Sequence, residues 1–169
     1  HNSAMNKVFD YALQRGWVTQ VVLPKLVNKG RKSEARPAFT LEEYRSLLRK
    51  LPAWIAQARM TKSKQMRELL RDYIIILAHT GIRHGTEAQN LKWRHIDWHY
   101  KDGERYLRIT VKGKTAKRSL IARANAEPSL QRIQSWFSDL APLSFDDLLK
   151  KRVDQYVFRL RDGMQTKHL

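Results

Sequence analysis

The chain has 169 residues, enough for one domain or for one domain with an appendage. Its 33 Lys+Arg outnumber 16 Asp+Glu and leave a formal net charge of +17, yet 42% of its residues are hydrophobic, so a packed core is available and a wholly disordered basic tail is excluded. There is no cysteine, which excludes a disulfide scaffold, a thiolate metal site and a cysteine nucleophile. No apolar run approaches the roughly 18 residues of a membrane span. A folded domain with this much positive charge points to a polyanion, most often nucleic acid.

Residues 1–4 precede Met5 and read as an expression-tag remnant. No charged stretch leads into an apolar one, so no signal peptide is expected and a cytoplasmic protein is the default. Residues 6–16 and 18–27 carry two short helical patterns, the first with an apolar stripe through Val8, Phe9, Tyr11, Ala12 and Leu13 and a stop at Gly16. Asn28 to Pro37 follows with four basic residues and one acid, without periodicity, and reads as an exposed basic linker.

A new unit starts at Phe39. Thr40-Leu41-Glu42-Glu43 is a capping box, and Leu41, Tyr44, Leu47, Leu48 and Leu51 give the helix behind it one apolar face. Pro52 is expected to interrupt that helix. Arg59–Lys64 reads as a loop. The next helix is expected from about Lys64 to Thr80, with an apolar centre at Tyr73–Ala78 that belongs in the middle of a domain and Gly81 in the left-handed position that ends it. A short helix is expected over about His84–Lys92. The period then changes to two: Tyr106–Lys112 and Arg118–Ile121 read as strands, and Asp102-Gly103 marks a hairpin whose first strand ends near Tyr100. Two further helices are expected. One starts near Pro128 and buries Leu130, Ile133, Trp136 and Phe137. The other starts after Ser144, a good N-cap, with Asp146 and Asp147 in its first turn, and its pattern runs on to Asp162-Gly163. The fold class is mainly α with a small antiparallel β-sheet (α+β).

Two constellations carry chemistry. In Thr80-Gly81-Ile82-Arg83-His84-Gly85-Thr86-Glu87, a buried helix ends on glycine, one apolar residue plugs the core, and an arginine opens the next element. Glu87 lies four residues after Arg83, so on a helix their side chains can meet, and a braced guanidinium presents a fork that matches phosphate oxygens two at a time. The same residues also fit an ordinary helix–turn–helix with a surface ion pair of little energetic weight. The second constellation is the hairpin tip, with Lys112, Lys114, Lys117 and Arg118. From Lys101 to Arg123 there are eight Lys/Arg and two Asp/Glu. Such a tip can reach a phosphate or a groove, or it can be a solvated hairpin whose charges protect a sheet edge. Gly113-Lys114-Thr115 is not a P-loop, because that motif needs glycine at 108, where Arg108 stands, and a helix where a second strand is expected.

Taken together, Thr-Gly-Ile-Arg-x-x-Thr-Glu-x-x-x-Leu at 80–91, Trp93-x-x-Ile96-Asp97, and Gly-Lys-Thr-x-Lys-Arg at 113–118 resemble the tyrosine recombinases, or phage-type integrases. The likeness covers about residues 37–169 well and residues 6–30 weakly. It implies a layout of 5–30 as the helical tail of a core-binding domain, 31–38 as a basic linker and 39–169 as the first part of a catalytic domain. It implies that Arg83 binds the scissile phosphate, that Lys114 protonates the 5′-oxygen leaving group, and that Glu87 braces the arginine. Lys112, Lys117, Arg118, Arg31 and Lys32 are the expected DNA contacts. The implied partner is double-stranded DNA, with the parent protein tetrameric on it and encoded by a bacterium, a phage or another mobile element. No cofactor and no metal are implied.

The family's second box, His-x-x-Arg, is absent from these residues, and no tyrosine stands in the expected terminal helical context. Tyr156 is expected mid-helix among Val153, Val157 and Leu160 as a packing aromatic. No nucleophile is therefore assigned in this chain, which is expected to bind DNA without cleaving it alone. The competing reading is a non-enzymatic basic nucleic-acid-binding module. Of the histidines, His95 and His99 have an i, i+4 spacing that a metal site would need to supplement with further ligands. The five tryptophans are expected to serve as core and interface anchors.

Overall fold

A computed structural model describes residues 2–24, 26, 38–113 and 116–163. Arg31, Lys32 and Lys114 lie outside the described residues. The chain divides into two compact units, His1–Phe39 and Thr40–Leu169.

In the first unit, α1 spans Asn2–Gln14 and gives way to a turn at Gly16, whose φ is +68°. It begins inside the stretch read as a tag. The expected second helix over 18–27 does not form in its described part, where Val22 N–H closes a short turn on the Thr19 carbonyl. Val18, Thr19, Val21 and Val22 are β-branched and Pro24 forbids the helical conformation just before it, so local preference defeats the apolar spacing. Tyr11 meets the Trp17 ring edge-on at 5.8 Å.

The second unit opens with α2 (Leu41–Ala56). The capping box is present: Thr40 Oγ1 accepts from the Glu43 amide at 3.2 Å, and Glu43 Oε2 accepts from the Thr40 amide at 2.8 Å. The helix passes through Pro52 instead of stopping. Leu51 and Ile55 are buried on either side of it, and that anchorage offsets the lost backbone bond. Helix α3 (Thr61–Thr80) starts three residues before the expected Lys64. Leu69, Asp72, Tyr73 and Ile76 form its buried face, while Ala78 is exposed, so the apolar centre is an inward face and not an enclosed rod. Gly81 ends α3 at φ +70°, ψ +18°, with its N–H on the Leu77 carbonyl, as expected.

The expected helix over His84–Lys92 shrinks to α4 (Thr86–Gln89), followed by a single 3₁₀ turn at Trp93–His95. Gly85 at φ +90° delays the start, and the Leu91–Arg94 backbone leaves the helix to pair with the distant segment 153–157. Strands β1 (Ile96–Lys101), β2 (Glu104–Lys112) and β3 (Lys117–Ile121) form an antiparallel sheet in the order β1-β2-β3. Asp102 and Gly103 join β1 to β2 with positive φ at both positions, which a two-residue hairpin of this hand requires. Alternation along β2 buries Leu107, Ile109 and Val111 and turns Arg108 outward. There Arg108 forms a two-point pair with its cross-strand neighbour Asp97, both bonds 2.8 Å.

Helix α5 (Ala126–Gln134) buries Leu130 and Ile133, with Phe137 just beyond it; Trp136 is only half-buried. Helix α6 (Phe145–Lys151) is capped by Ser144, whose Oγ accepts from the Asp147 amide at 3.1 Å. It ends at Arg152 in the left-handed region, ten residues short of the expected Asp162. Tyr156 therefore lies in extended backbone and not mid-helix, in an antiparallel bridge with Lys92. Trp93 N–H donates to the Gln155 carbonyl and Val157 N–H to that of Leu91. One core joins the buried faces of α3, α5, α6 and β2 around Trp93, Ile96 and Phe158. Among the described residues the unit is α+β, with helices outnumbering a small sheet, and no helix is long and apolar enough to cross a membrane.

Candidate functional site

The turn after α3 and the base of the β2–β3 hairpin meet at one carboxylate. Thr80 returns its hydroxyl to the Ile76 carbonyl at 2.6 Å and accepts from the Ile82 amide at 3.3 Å, which fixes the turn. Ile82 is buried and plugs the core, and Arg83 beside it is exposed. Glu87 is 4% exposed, a rare burial for a glutamate and one that demands partners. Its Oε2 accepts from the Arg83 backbone N–H at 3.0 Å. The sequence spacing suggested a side-chain pair between Arg83 and Glu87; the contact described here runs through the backbone.

The side-chain partner of Glu87 comes from 31 positions away. Arg118 donates from Nη2 to Glu87 Oε2 at 2.6 Å and from Nε to Oε1 at 3.2 Å, and its Nη2 also bonds the Gly81 carbonyl at 3.0 Å. The guanidinium of Arg118, an expected DNA contact, makes these bonds while its side chain stays 36% exposed. The other side of the hairpin base lies close to Glu87: a Cβ built on Gly113 would stand 3.0 Å from Oε1, so a side chain there would press on the carboxylate. The Arg118 bonds hold the Glu87 carboxyl below the usual carboxylate value; burial opposes this, and the Arg83 amide assists it. Glu87 is thus a fixed anion at neutral pH, and Arg118 is its matched cation.

Lys112 and Lys117 are exposed at the hairpin base, and Gly113 N–H closes on the Ala116 carbonyl at 3.0 Å. They line a cleft of about 620 Å³ whose other walls include Glu87, Lys92, Arg94, His95 and Tyr156. Lys92 lies 4.9 Å from the centre of the Tyr156 ring and 2.9 Å from Asp154, which Arg94 also reaches at 3.0 Å. Burial, reinforced by Arg94 and Lys92, holds the His95 imidazole below the ordinary histidine value, so the ring is neutral near pH 7. Its Nδ1 accepts from the Lys92 amide at 3.2 Å. Sequence reading missed this wall, because the Lys92–Tyr156 pairing has no local signal.

The other described histidines are employed separately. His79 pairs with the Tyr44 hydroxyl at 3.3 Å and His84 with the Tyr73 hydroxyl at 2.8 Å. His95 sits in the 3₁₀ turn and His99 in β1, so their spacing does not describe one helical face. Among the described residues no group of three or more His, Asp or Glu is placed to hold a metal ion. Of the tryptophans, Trp93 is fully buried, whereas Trp17 is exposed and Trp54 lies under the Arg67 guanidinium at 4.6 Å.

What the arrangement offers chemically is an exposed arginine on a rigid turn, next to a lysine-bearing hairpin whose base is docked on the same turn. Compared with protein-family models, curated proteins and solved structures, the chain matches none.

Proposed function

We propose that this chain binds double-stranded DNA and that residues 39–169 are the first part of the catalytic domain of a tyrosine recombinase, acting in the cytoplasm. The observation that carries the reading is the meeting of the Arg83 turn and the hairpin base on Glu87. Two segments that the motif places around one phosphodiester share a single buried anchor. Charge supports it as well: 33 − 16 leaves 17 cations in excess even if every acid takes one base.

In the reaction this reading assigns, Arg83 holds two non-bridging oxygens of the scissile phosphate. Charge grows there in the transition state, and a prepositioned fork stabilises it most. A tyrosine supplied from outside these residues attacks phosphorus, losing its phenolic proton to water. The bond from phosphorus to the 5′ oxygen breaks, its electron pair stays on oxygen, and the Lys114 ammonium delivers a proton there, leaving a neutral amine and a 3′-phosphotyrosyl link.

The test uses full-length protein from the parent reading frame, which this reading expects to continue into His-x-x-Arg and a tyrosine. On a nicked substrate it forms an adduct that survives denaturation, and Arg83→Ala abolishes it while the protein still binds DNA. Full adduct formation by Arg83→Ala removes that residue from catalysis. DNA binding with no adduct from the wild type favours the non-enzymatic nucleic-acid-binding module.

A further inference from the structure

The cleft of about 620 Å³ at the hairpin base has the size of a small-ligand site. Leu91 and Val111 give it apolar wall, and the half-buried Tyr156 ring lines it with them. Its charge is one-sided. Lys112 and Lys117 stand exposed on the hairpin base, and Lys92 and Arg94 stand on a separate segment. Asp154 takes a bond from each of Lys92 and Arg94, at 2.9 and 3.0 Å, and so matches one of these four cations. Glu87 is matched by Arg118, and His95 is neutral near pH 7. Three positive charges are left over around an apolar floor. We infer that this cleft takes one unpaired nucleotide of a DNA strand, with its base against Tyr156 and its flanking phosphates on Lys112 and Lys117.

Each feature narrows the ligand. A bare phosphate satisfies the cations and leaves the apolar wall wet. An uncharged apolar molecule leaves the cations unused. A nucleobase offers a flat π-face to tyrosine, and a strand sets a phosphate on either side of it. Lys92 already sits 4.9 Å from the centre of the Tyr156 ring, so cation and ring lie side by side, as phosphate and base do along a strand. A paired base is closed inside its stack and shows tyrosine no face, so the nucleotide has to be unpaired. A free mononucleotide carries at most about two charges, all on one phosphate, whereas the surplus cations stand on two segments of the chain. The ring is also placed by backbone. Tyr156 bridges Lys92, and the Trp93 and Val157 amides close on Gln155 and Leu91 at 3.0 and 2.9 Å around it. A platform held this way loses little freedom when a base arrives.

The inference rests on the DNA-binding part of the reading above and not on its chemistry, so equilibrium binding tests it. The 169-residue chain is titrated by fluorescence anisotropy with a labelled thymidylate tetramer and with the same tetramer stripped of its bases; thymidine 5′-monophosphate serves as a competitor. The base-bearing tetramer is expected to bind about 10-fold more tightly than the abasic one, the scale of one base stacked on an aromatic ring. Tyr156→Leu removes that preference and leaves the abasic affinity unchanged, and Tyr156→Phe keeps it. Lys112→Gln and Lys117→Gln weaken both tetramers alike, and each lowers the slope of log affinity against log salt by about 0.7. The monophosphate competes about 10-fold more weakly than the tetramer or worse, because it lacks the second phosphate. Equal affinity for the two tetramers overturns the inference; that comparison needs no variant, so it decides even where Tyr156→Leu fails to fold. A base preference that survives in folded Tyr156→Leu overturns it by placing the base elsewhere. A monophosphate that competes as well as the tetramer overturns the strand as the ligand. In each of these cases, duplex binding by the wild type leaves the DNA-binding reading standing. Failure to bind either tetramer or duplex DNA overturns that reading and the inference together.

Discussion

Asp72 offers the sharpest test of what holds the platform under Arg83. It lies mid-way along α3 with no solvent exposure, and its carboxylate takes four bonds from two guanidinium groups. Arg71 donates at 3.3 and 2.7 Å, and Arg132 of α5 donates at 3.0 and 2.5 Å while also holding Ser129 at 2.8 Å. Asp72→Ala removes the shared acceptor and leaves two cations with no anion. Breaking a fully buried pair costs about 3–5 kcal/mol. Here the arginine side chains are 27% and 42% exposed, so both partly rehydrate, and the figure falls to about 2–3 kcal/mol. For a unit of this size that lowers Tm by about 5–10 °C.

The assay is urea and thermal unfolding followed by circular dichroism, with Arg132→Ala and the double variant completing a cycle. Arg132→Ala costs less, because Arg71 stays on the carboxylate. The coupling between positions 72 and 132 is expected at about 1 kcal/mol or more, since they share two direct bonds. An Asp72→Ala protein within about 0.5 kcal/mol of wild type, the range of an ordinary surface change, refutes the claim that this carboxylate staples α3 to α5.

Two further outcomes follow from the same contacts. Glu87 has a folded pKa below its ordinary value of 4.5, so its stabilisation is complete above that value and is lost as the pH falls through the lower folded one. The urea midpoint of the wild type should therefore drop more steeply than that of Glu87→Gln as the pH goes from about 6 to about 3, and parallel curves contradict the assignment. Lys112→Ala and Lys117→Ala, both exposed, should weaken DNA binding alike across sequences and each reduce the slope of log affinity against log salt by about one; an unchanged slope takes that lysine off the phosphates.

The parts of this fold that were legible in the sequence are those written within a few residues. Thr40 and Glu43 are three apart, Ser144 and Asp147 are three apart, and Asp102-Gly103 announces its own turn. Gly81 ends α3 because its left-handed conformation costs glycine little. What was not legible depends on partners far along the chain. Helix α6 stops at Arg152 because the next five residues pair with the backbone of Leu91–Arg94, and no pattern between 144 and 162 encodes that. Arg118 was read as a DNA contact by its company of lysines, and only the fold brings Glu87 beneath it. Pro52 was read as a break by its own chemistry, and burial of Leu51 and Ile55 overrules it.

The acid at the centre of the site answers a difficulty that its cations create. A site that grips a phosphodiester must gather positive groups before the anion arrives, and those groups repel one another across a low-dielectric surface. Arg83, Lys112, Lys117 and Arg118 crowd one turn and one hairpin base. Spreading the charges apart relieves the repulsion but loses the geometry. A buried carboxylate beneath them supplies an opposite charge, and the Arg118 bonds hold its carboxyl below the usual carboxylate value. Gly113 lets the hairpin base approach Glu87 to a distance that a Cβ would contest, and the Gly81 carbonyl accepts from Arg118 on the other side. Glu87 thereby ties the Arg83 turn to the hairpin base through one buried carboxylate.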